Sequence, residues 1–398
     1  MPKNEPTLSI DRFRGINNVE RPSRLEPGWL AGADNMSLDD EGGLESRQGY
    51  TAIAGFTAIT SAYATRDQTR LYVVDNGDLK RVVSMQPLVT AVLASGLPSG
   101  EVYWCEAGNM VLFSGAAQGV IDGGDYYPLS IPMAPSPGLT QIDGQLPGGR
   151  YRVACTFKDA RGREGGSGPA GVIDVADDSG ISMILPSLAD HTVIVYVSSV
   201  NGETLYRLDE DTGGGFVWVD QSPSTFPLNE EQVVAYPAPA NADLIAFHES
   251  KLWVSDYDQS TDLSYLFHSK PFWYHLFDLS RDYVAIPGKV LMLASVPGGL
   301  IIGTNREIYV YTVEEALVKL ADYGVVPGHN VAYQQNGNVV FWTQRGVCSG
   351  LPFKNHTDET YSVPHGARVG VQLIEKQGKN QFIVVAASGG NANNPYEA

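Results

Sequence analysis

The sequence predicts an all-β protein, and three observations support this class. Glycine and proline, with 43 and 24 residues, make up about a sixth of the 398 residues, as expected where tight turns join many short strands. Strand-forming aromatics are frequent, with 20 Tyr, 13 Phe and 6 Trp. Helical periodicity is scarce. The best helical segment is 313–322, where Leu317 and Leu320 fall on one face.

Apolar strands followed by polar turns recur at a spacing typical of a β-propeller. Their markers are Leu71, Met110, Leu252, Leu300, Val339 and Phe382. Successive markers are 39, 142, 48, 39 and 43 residues apart, and four of these five intervals are close to the roughly 40 to 50 residues of a four-stranded blade. We therefore expect a β-propeller of six to seven blades. A series of β-sandwiches is the alternative interpretation of regularly spaced strands.

The long interval of 142 residues predicts a domain inserted into the propeller. Alternating strands at 148–157 and 193–198 lie on either side of a charged, glycine-rich reversal, and proline-rich connectors precede and follow the region. The strand order resembles a fibronectin-type β-sandwich. The predicted domains are an N-terminal docking arm and hairpin (1–50), a first propeller part (51–140), the inserted sandwich (141–236) and a second propeller part (237–398).

The composition limits the function classes. A net charge of −18 argues against a surface that binds nucleic acid tightly through its phosphates, but it suits a pore through which DNA slides. The three cysteines, Cys105, Cys155 and Cys348, are odd in number and widely spaced, which favours reduced cytoplasmic assembly over a disulfide framework. No signal-peptide pattern or membrane-spanning apolar run is visible.

Residues with catalytic potential do not form a recognisable motif. None of the seven histidines has the helical spacing of a metal site. His268 and His275 occur near Trp273 and Tyr274 and could line a pocket, although packing of aromatic blade edges is the favoured interpretation. Ser167 fits the Gly-x-Ser-x-Gly pattern of a nucleophile elbow except at its last position, where Pro169 replaces the glycine. We expect no catalytic residue, no metal, no cofactor, and no enzyme activity.

The N-terminal segment 13–50 precedes the regularly spaced blade strands, and its pattern predicts a docking element. Segments 35–38 and 44–47 flank an acidic, glycine-rich loop, as in a β-hairpin. Proline at the start of 27–30 suggests a short helical turn. Arginines could bind acidic partners bidentately. The candidate interface residues are Arg12, Arg14, Arg21, Arg24, Trp29 and Arg47.

The order of these N-terminal elements resembles short-tailed bacteriophage (podovirus) virion proteins of the tail nozzle, or tail tubular protein B-like, family. A second resemblance covers 298–347, so together the two cover about a quarter of the chain. They imply a structural virion protein of the tail that is assembled in the host cytoplasm. Its expected partners are itself in a hexameric ring, the head-tail adaptor, tail fibre or spike proteins, and genomic DNA that passes through the lumen during ejection without specific binding.

Two other functions stay open at this point. A carbohydrate-binding or carbohydrate-cleaving propeller is suggested by Trp273 and Tyr274. A head-tail adaptor or tail-fibre connector would also use an N-terminal docking arm. The chain is compact relative to large tail nozzles, so the resemblance does not extend to a gating role.

Overall fold

The structure, a computed structural model, describes residues 10, 12–33, 36–39, 41–46, 53–228, 235–334, 336–360, 368–376 and 379–387. Within these ranges the chain is almost entirely β, and its helical part is a short 3-10 helix at Pro22–Arg24. The predicted all-β class is therefore confirmed. No helix in the described ranges is long and apolar enough to cross a membrane.

The N-terminal arm, residues 12–46, contains four short strands. They are β1 (Gly15–Ile16), β2 (Trp29–Leu30), β3 (Met36–Leu38) and β4 (Leu44–Ser46). Strands β1 and β2 pair in parallel, so the predicted helical turn at 27–30 is wrong: Pro27 and Gly28 form a turn that leads into β2. The backbone explains this, because Gly28 has a φ of +95° and its carbonyl accepts the Arg14 N–H at 2.7 Å.

The predicted hairpin is confirmed over its described residues, where β3 and β4 pair antiparallel. Asp39 organises the loop, because its Oδ1 accepts the N–H of Glu41 at 2.9 Å and of Gly43 at 2.6 Å. Gly42 supplies the positive φ of +86° that the reversal needs. The outer predicted residues, Asn35 and Arg47, lie outside the described residues.

The first two propeller sheets, called blades 1 and 2, are four-stranded antiparallel meanders. Blade 1 consists of β5 (Ile59–Ala64), β6 (Leu71–Asp75), β7 (Asp78–Met85) and β8 (Leu88–Ala94). Blade 2 consists of β9 (Val102–Ala107), β10 (Met110–Gly115), β11 (Gly119–Asp122) and β12 (Asp125–Pro128).

A two-sheet β-sandwich follows blade 2, as predicted for an inserted domain. Its strands are β13 (Gly138–Leu146), β14 (Gly149–Asp159), β15 (Gly171–Val175), β16 (Ser179–Leu185), β17 (His191–Ser198), β18 (Leu205–Asp211) and β19 (Gly214–Trp218). One sheet has the order β13-β16-β19 and the other the order β15-β14-β17-β18. Buried residues of both sheets, including Met183 and Val195, form one core. The exact domain boundaries stay predictions.

The chain then returns to propeller sheets, called blades 3, 4 and 5. Blade 3 consists of β20 (Ile245–His248), β21 (Lys251–Asp258), β22 (Leu263–Lys270), β23 (Trp273–Phe277) and β24 (Tyr283–Pro287), where β23 and β24 both pair with β22. Blade 4 consists of β25 (Val290–Val296), β26 (Gly299–Thr304), β27 (Ile308–Thr312) and β28 (Leu317–Ala321). Strand β29 (Gly328–His329) follows and belongs to another sheet. Blade 5 consists of β30 (Val331–Tyr333), β31 (Val339–Thr343), β32 (Gly346–Ser349) and β33 (Lys354–Asn355).

A last sheet joins the C-terminal hairpin to the strand that leads into blade 5. The hairpin is β34 (Arg368–Lys376) and β35 (Lys379–Ala387), and β34 pairs in parallel with β29. This C-terminal sheet has three strands in the described residues. Five of the six sequence markers lie on the second strand of a blade, whereas Phe382 lies on the edge strand β35.

The helix predicted at 313–322 is wrong. Residues 317–321 are β28, the outer strand of blade 4, where Leu317 pairs with Tyr311 and Val318 with Val310. A local spacing of leucines favours a helix only weakly, and the ladder of backbone hydrogen bonds to β27 decides the outcome. The loop 313–316 is a tight reversal in which Thr312 N–H donates to Ala316 O at 2.9 Å.

The hydrophobic core lies between consecutive blades. One cluster joins Tyr72 of blade 1 to Phe113 of blade 2, and equivalent clusters join blades 2 and 3, 3 and 4, and 4 and 5. Each fully buried large side chain contributes about 1.5–3 kcal/mol by leaving water. Packing of sheet face on sheet face in sequence order is the arrangement of a β-propeller.

The sandwich is fixed to blade 2 by polar and aromatic contacts. Arg163 donates to Asp159 at 2.8 Å and to the carbonyls of Leu129 and Pro128, both at 3.1 Å. Its guanidinium also lies over the Tyr127 ring, 4.4 Å from the centroid. Because one partly buried arginine satisfies carbonyls of the propeller and a carboxylate of the sandwich, the two parts are joined firmly.

Candidate functional site

The predicted interface residues lie on one folded arm. Arg12, Arg14, Arg21 and Arg24 are exposed, Trp29 is half-buried, and Arg47 lies outside the described residues. Arg12 and Arg14 flank Phe13, whose N–H donates to Gly42 O in the hairpin at 2.8 Å. Arg24 ends the short 3-10 helix that connects β1 to β2. The arm thus carries four exposed arginines before and within the β1–β2 connection, together with the exposed carboxylates of Glu20 and Glu26.

One of these arginines has an acidic partner within the arm. Arg14 Nη1 lies 3.0 Å from Glu26 Oε2, and the two side chains are 55% and 74% exposed. An ion pair this exposed contributes about 0–1 kcal/mol, so a stronger acidic partner could replace Glu26 at small cost.

The arm and the blade 5 region line an apolar groove, which we call the arm groove. It has a volume of about 360 Å³, and its apolar lining includes Ile16, Leu30, Met36, Leu38, Leu44 and Trp342. Met36 and Leu38 are 40% and 39% exposed, so the groove is open to solvent. Open apolar surface of this kind is typical of a protein interaction site.

The arm is attached to blade 5. Asn18 N–H donates to Thr360 O at 3.0 Å, and Asn17 N–H donates to Leu30 O at 2.8 Å. Thr357 and Thr360 of the segment after β33 complete the lining of the groove. Among the described residues, one backbone hydrogen bond, from Asn18 to Thr360, and the shared groove lining therefore connect the arm to the blade 5 region.

A second site lies on the propeller axis, where the inner strands converge. This axial cavity has a volume of about 200 Å³ and is lined by residues of β5, β9, β20, β25, β30 and β34. Six sheets thus contribute to one wall, as expected for blades arranged around an axis. At roughly 30 Å³ per water molecule, the cavity has space for on the order of seven waters and none for a nucleic acid strand.

One part of the axial cavity is closed by Arg66 and Tyr333. The Arg66 guanidinium lies over the Tyr333 ring, 3.8 Å from its centroid, and joins blade 1 to blade 5. Tyr333 Oη accepts the Ser295 N–H at 3.1 Å, which ties blade 5 to blade 4. Burial raises the pKa of Tyr333. These contacts close the ring of blades.

Two residues that line the cavity, Tyr103 and His329, contact Glu101 next to it. His329 Nε2 lies 3.1 Å from Glu101 Oε1, and Arg368 of β34 contacts the other carboxylate oxygen. Tyr103 Oη donates to Glu101 at 3.1 Å. Burial lowers the pKa of His329, which favours its neutral form. The cluster fastens the C-terminal hairpin to blade 2.

The histidines considered for a pocket take separate structural roles. His275 Nε2 contacts Glu164 O at 3.0 Å between blade 3 and the sandwich, and burial lowers its pKa to about 4. The ring of His268 packs on Trp253 with centroids 4.8 Å apart. Neither histidine lines the axial cavity or the arm groove.

The other residues with chemical potential are buried. Ser167 is 4% exposed, and Cys105, Cys155 and Cys348 are all buried free thiols. Burial raises the pKa of all three thiols, that of Cys155 to about 12. Among the described residues, no group of three or more His, Cys, Asp or Glu side chains is arranged to hold a metal ion.

Sequence reasoning found the arm but missed the axial cavity. Arg66, Tyr333 and Glu101 are separated by up to 267 positions in the sequence and carry no shared motif. The sequence feature that could have indicated the cavity is the register of the blades, because the residue that starts each inner strand should face the axis. Using that signal needs the exact strand boundaries, which the spacing of the markers does not provide.

Comparison of the sequence with family models finds no match, and comparison with curated proteins finds none either. Several solved structures are similar in strand arrangement. PorZ of Porphyromonas gingivalis has a TM-score of 0.24 and 13% identity, with 89% of this chain and 54% of PorZ covered. Hsv2p of Kluyveromyces lactis has a TM-score of 0.30 and 7% identity, with 83% and 98% covered. The CNH domain of AfRom2 has a TM-score of 0.27 and 8% identity, with 89% and 94% covered.

These likenesses concern the fold alone, and at such TM-scores they carry no argument about function. Hsv2p and the CNH domain are β-propeller proteins, the class to which this chain's own strand pairing assigns it. This chain spans about half the length of PorZ. None of the three is a phage tail protein, so the resemblance to tail nozzles stays a prediction.

Proposed function

We propose that this chain is a structural virion protein of a short phage tail, of the nozzle or tail-tube type, that assembles into a ring around the path of the ejected DNA. The observation that carries the proposal is the arm. It carries exposed arginines, lines an open apolar groove together with the blade 5 region, and is joined to that region by the hydrogen bond from Asn18 to Thr360. Such an element suits contact with another protein.

The rest of the chain suits a rigid building block. Clusters of buried side chains connect the blades in sequence, and the Arg163 contacts join the sandwich to blade 2. A part that must keep its geometry while DNA moves past it needs this kind of stiffness more than it needs mobile loops.

DNA would pass between copies and not through one propeller. The axial cavity is far too small for DNA. A lumen enclosed by a ring of chains, each with a net charge of −18, would repel the phosphates and so avoid the contacts that retain DNA. The lumen of the proposed ring is therefore an inter-subunit feature.

Electron cryomicroscopy of the virions that contain this chain tests the proposal. The expected result is a ring of propeller-shaped subunits on the tail axis, with the arms at subunit or adaptor contacts. Density for the chain away from the axial tube would refute the nozzle role. A position between portal and tail, or at the base of a fibre, would favour the head-tail adaptor or the tail-fibre connector instead.

A carbohydrate-binding propeller is the second candidate, and one observation favours it. Phe272 and Trp273, at the turn between β22 and β23, are 71% and 38% exposed, and exposed aromatic rings can stack on sugars. The ring of Tyr274 beside them is not available to stack on a sugar, because it packs edge-on against Phe247 with centroids 5.6 Å apart.

A glycan array separates the two candidates. Binding that is lost in Phe272→Ala with Trp273→Ala, and kept in the matched control Phe226→Ala at another exposed phenylalanine, would support the carbohydrate function. Absence of glycan binding by the intact chain would refute the carbohydrate function.

A further inference from the structure

The C-terminal sheet differs from the other propeller sheets in where its second strand lies. Its inner strand is β34, which lines the axial cavity, and its second strand is β35. In blades 1, 2, 4 and 5, two more strands follow the second strand outwards. Among the described residues no strand pairs with the other edge of β35. The C-terminal sheet therefore ends at the strand that is internal in every other blade.

The sequence of β35 is nevertheless typical of an internal strand. Residues 382–386 are Phe-Ile-Val-Val-Ala, without a charge or a proline. The corresponding second strands β26 and β31 are buried at every position. In β35, by contrast, Val385 is 64% exposed and Phe382, Ile383 and Val384 are only half-buried. Apolar side chains of the kind that a third strand covers in other blades are thus open to solvent here.

The backbone of β35 is free to pair with a further strand. Its nine residues pair with β34 without a register shift, so no β-bulge bends the edge away. Within the described part of the chain, residues 381–386 make no hydrogen bond beyond those to β34. Other outer strands are protected by a lysine or a proline, such as Lys319 in β28, Lys354 in β33 and Pro287 in β24. An unprotected, uncharged edge is a template for another strand.

The open edge is recessed beside blade 5. Phe382 and Val384 pack in one cluster with Trp342 of β31 and Val347 of β32. Blade 5 continues outwards from β32 to β33, past the point where the C-terminal sheet stops. Trp342 also lines the arm groove, so the groove and the open edge adjoin. A single extended segment fits such a recess, whereas a second propeller would bring its own outer strands against blade 5.

We propose that the open edge of β35 binds an extended segment of a partner protein as a third strand, by β-augmentation. The centre of the segment is uncharged and carries aromatic or β-branched side chains, because it lies against Phe382 and Val347. The chain's own third strand in blade 4, β27, has this composition and pairs with the second strand β26. The proposed contact goes beyond the ring and does not depend on it.

A synthetic peptide that copies residues 306–313, Arg-Glu-Ile-Tyr-Val-Tyr-Thr-Val, tests the inference. The anisotropy of the labelled peptide should rise as the chain is added, and amide exchange at 381–386 should slow because new hydrogen bonds protect outward N–H groups. The control peptide carries Tyr309→Pro and Val310→Pro. Adjacent N–H groups point to opposite edges of a strand, so one of these prolines removes a donor to β35. The control should bind about tenfold more weakly.

Matched variants of the chain locate the binding site. Val385→Lys places a charge on the open edge and should weaken binding of the peptide about fivefold. Val318→Lys makes the same change on β28 and should leave the affinity unchanged. The two valines are 64% and 46% exposed, so both variants should fold, and circular dichroism checks this.

Four results would overturn the inference. They are absence of peptide binding, equal binding of the two peptides, unchanged exchange at 381–386 in the complex, and a loss in Val318→Lys as large as in Val385→Lys. Self-association of the parent chain that Val385→Lys abolishes in sedimentation velocity would assign the edge to a second copy instead of a partner segment. The ring is tested separately, by the position of the chain in virions.

Discussion

The buried carboxylate of Asp75 gives the sharpest prediction about stability. Asp75 is 0% exposed at the end of β6. Its Oδ1 accepts the N–H groups of Thr57 and Ala58 at 2.8 and 2.7 Å, and its Oδ2 accepts Lys80 Nζ at 2.8 Å. One side chain therefore fixes the segment that enters blade 1 from the arm.

Asp75→Asn keeps the shape of the side chain but places an amide N–H₂ opposite the Lys80 ammonium. Breaking a fully buried ion pair costs about 3–5 kcal/mol. The Lys80 side chain is 18% exposed and has Asp78 as a second partner at 3.8 Å, so we expect a smaller loss of about 2 kcal/mol. The control Asp78→Asn removes only the longer, 34% exposed contact and should cost about 0–1 kcal/mol.

The pH dependence follows from the same contacts. The hydrogen bond and charge of Lys80, followed by the Ala58 N–H, hold the pKa of Asp75 below its ordinary value. A carboxyl with a depressed folded-state pKa stabilises the fold above its unfolded pKa of about 3.9, and the contribution is lost as pH falls through the folded value. The difference in free energy of unfolding between the parent protein and Asp75→Asn should thus be constant above about pH 5 and shrink below about pH 4.

Urea unfolding followed by tryptophan fluorescence measures the difference in free energy, and amide hydrogen exchange at residues 57 and 58 locates it. An Asp75→Asn protein as stable at pH 7 as Asp78→Asn would refute the reasoning. Exchange at those two amides should rise only modestly, because the Asn Oδ1 still accepts both N–H groups.

Three further predictions concern other parts of the propeller. Tyr333→Leu removes the acceptor of the buried Ser295 N–H and should cost about 1–3 kcal/mol in urea unfolding. Phe341→Ala, at a fully buried position in blade 5, should cost about 3–5 kcal/mol, whereas the exposed Val318→Ala should change thermal stability little. His275 has its pKa lowered to about 4, so the unfolded chain binds the proton more readily. Stability should therefore fall as pH drops from about 6.5 towards 4, and His275→Gln should reduce this dependence in thermal scans from pH 7 to 4.

The blade repeat could be predicted because it depends on a strong local pattern. Apolar runs such as 71–74 and 300–303 are buried on both faces in the middle of a sheet, so nearly every residue in them is hydrophobic. The outer strands are half exposed and have mixed composition, which explains why 317–321 was taken for a helix. The pairing with β27, its partner in a tight hairpin, makes that segment a strand.

The arm shows a different limit of prediction from sequence. Its hairpin was predictable from Asp39 and the glycines, since turn chemistry is local. Strand β2 was not, because a two-residue parallel pairing between Gly15 and Trp29 has no local signal. The groove was not predictable either, since it exists only where the arm meets Trp342 and Thr360 of blade 5.

The same contrast explains why the proposed function rests on the arm more than on the propeller. The inner strands of the propeller sheets bury their apolar faces against each other. The arm has too few residues to do this, and Met36 and Leu38 remain about 40% exposed after it has folded against blade 5. An element that cannot complete its own core gains stability when a second surface covers it. That surface must be apolar, because the side chains that it would cover, Met36 and Leu38, belong to the apolar lining of the arm groove.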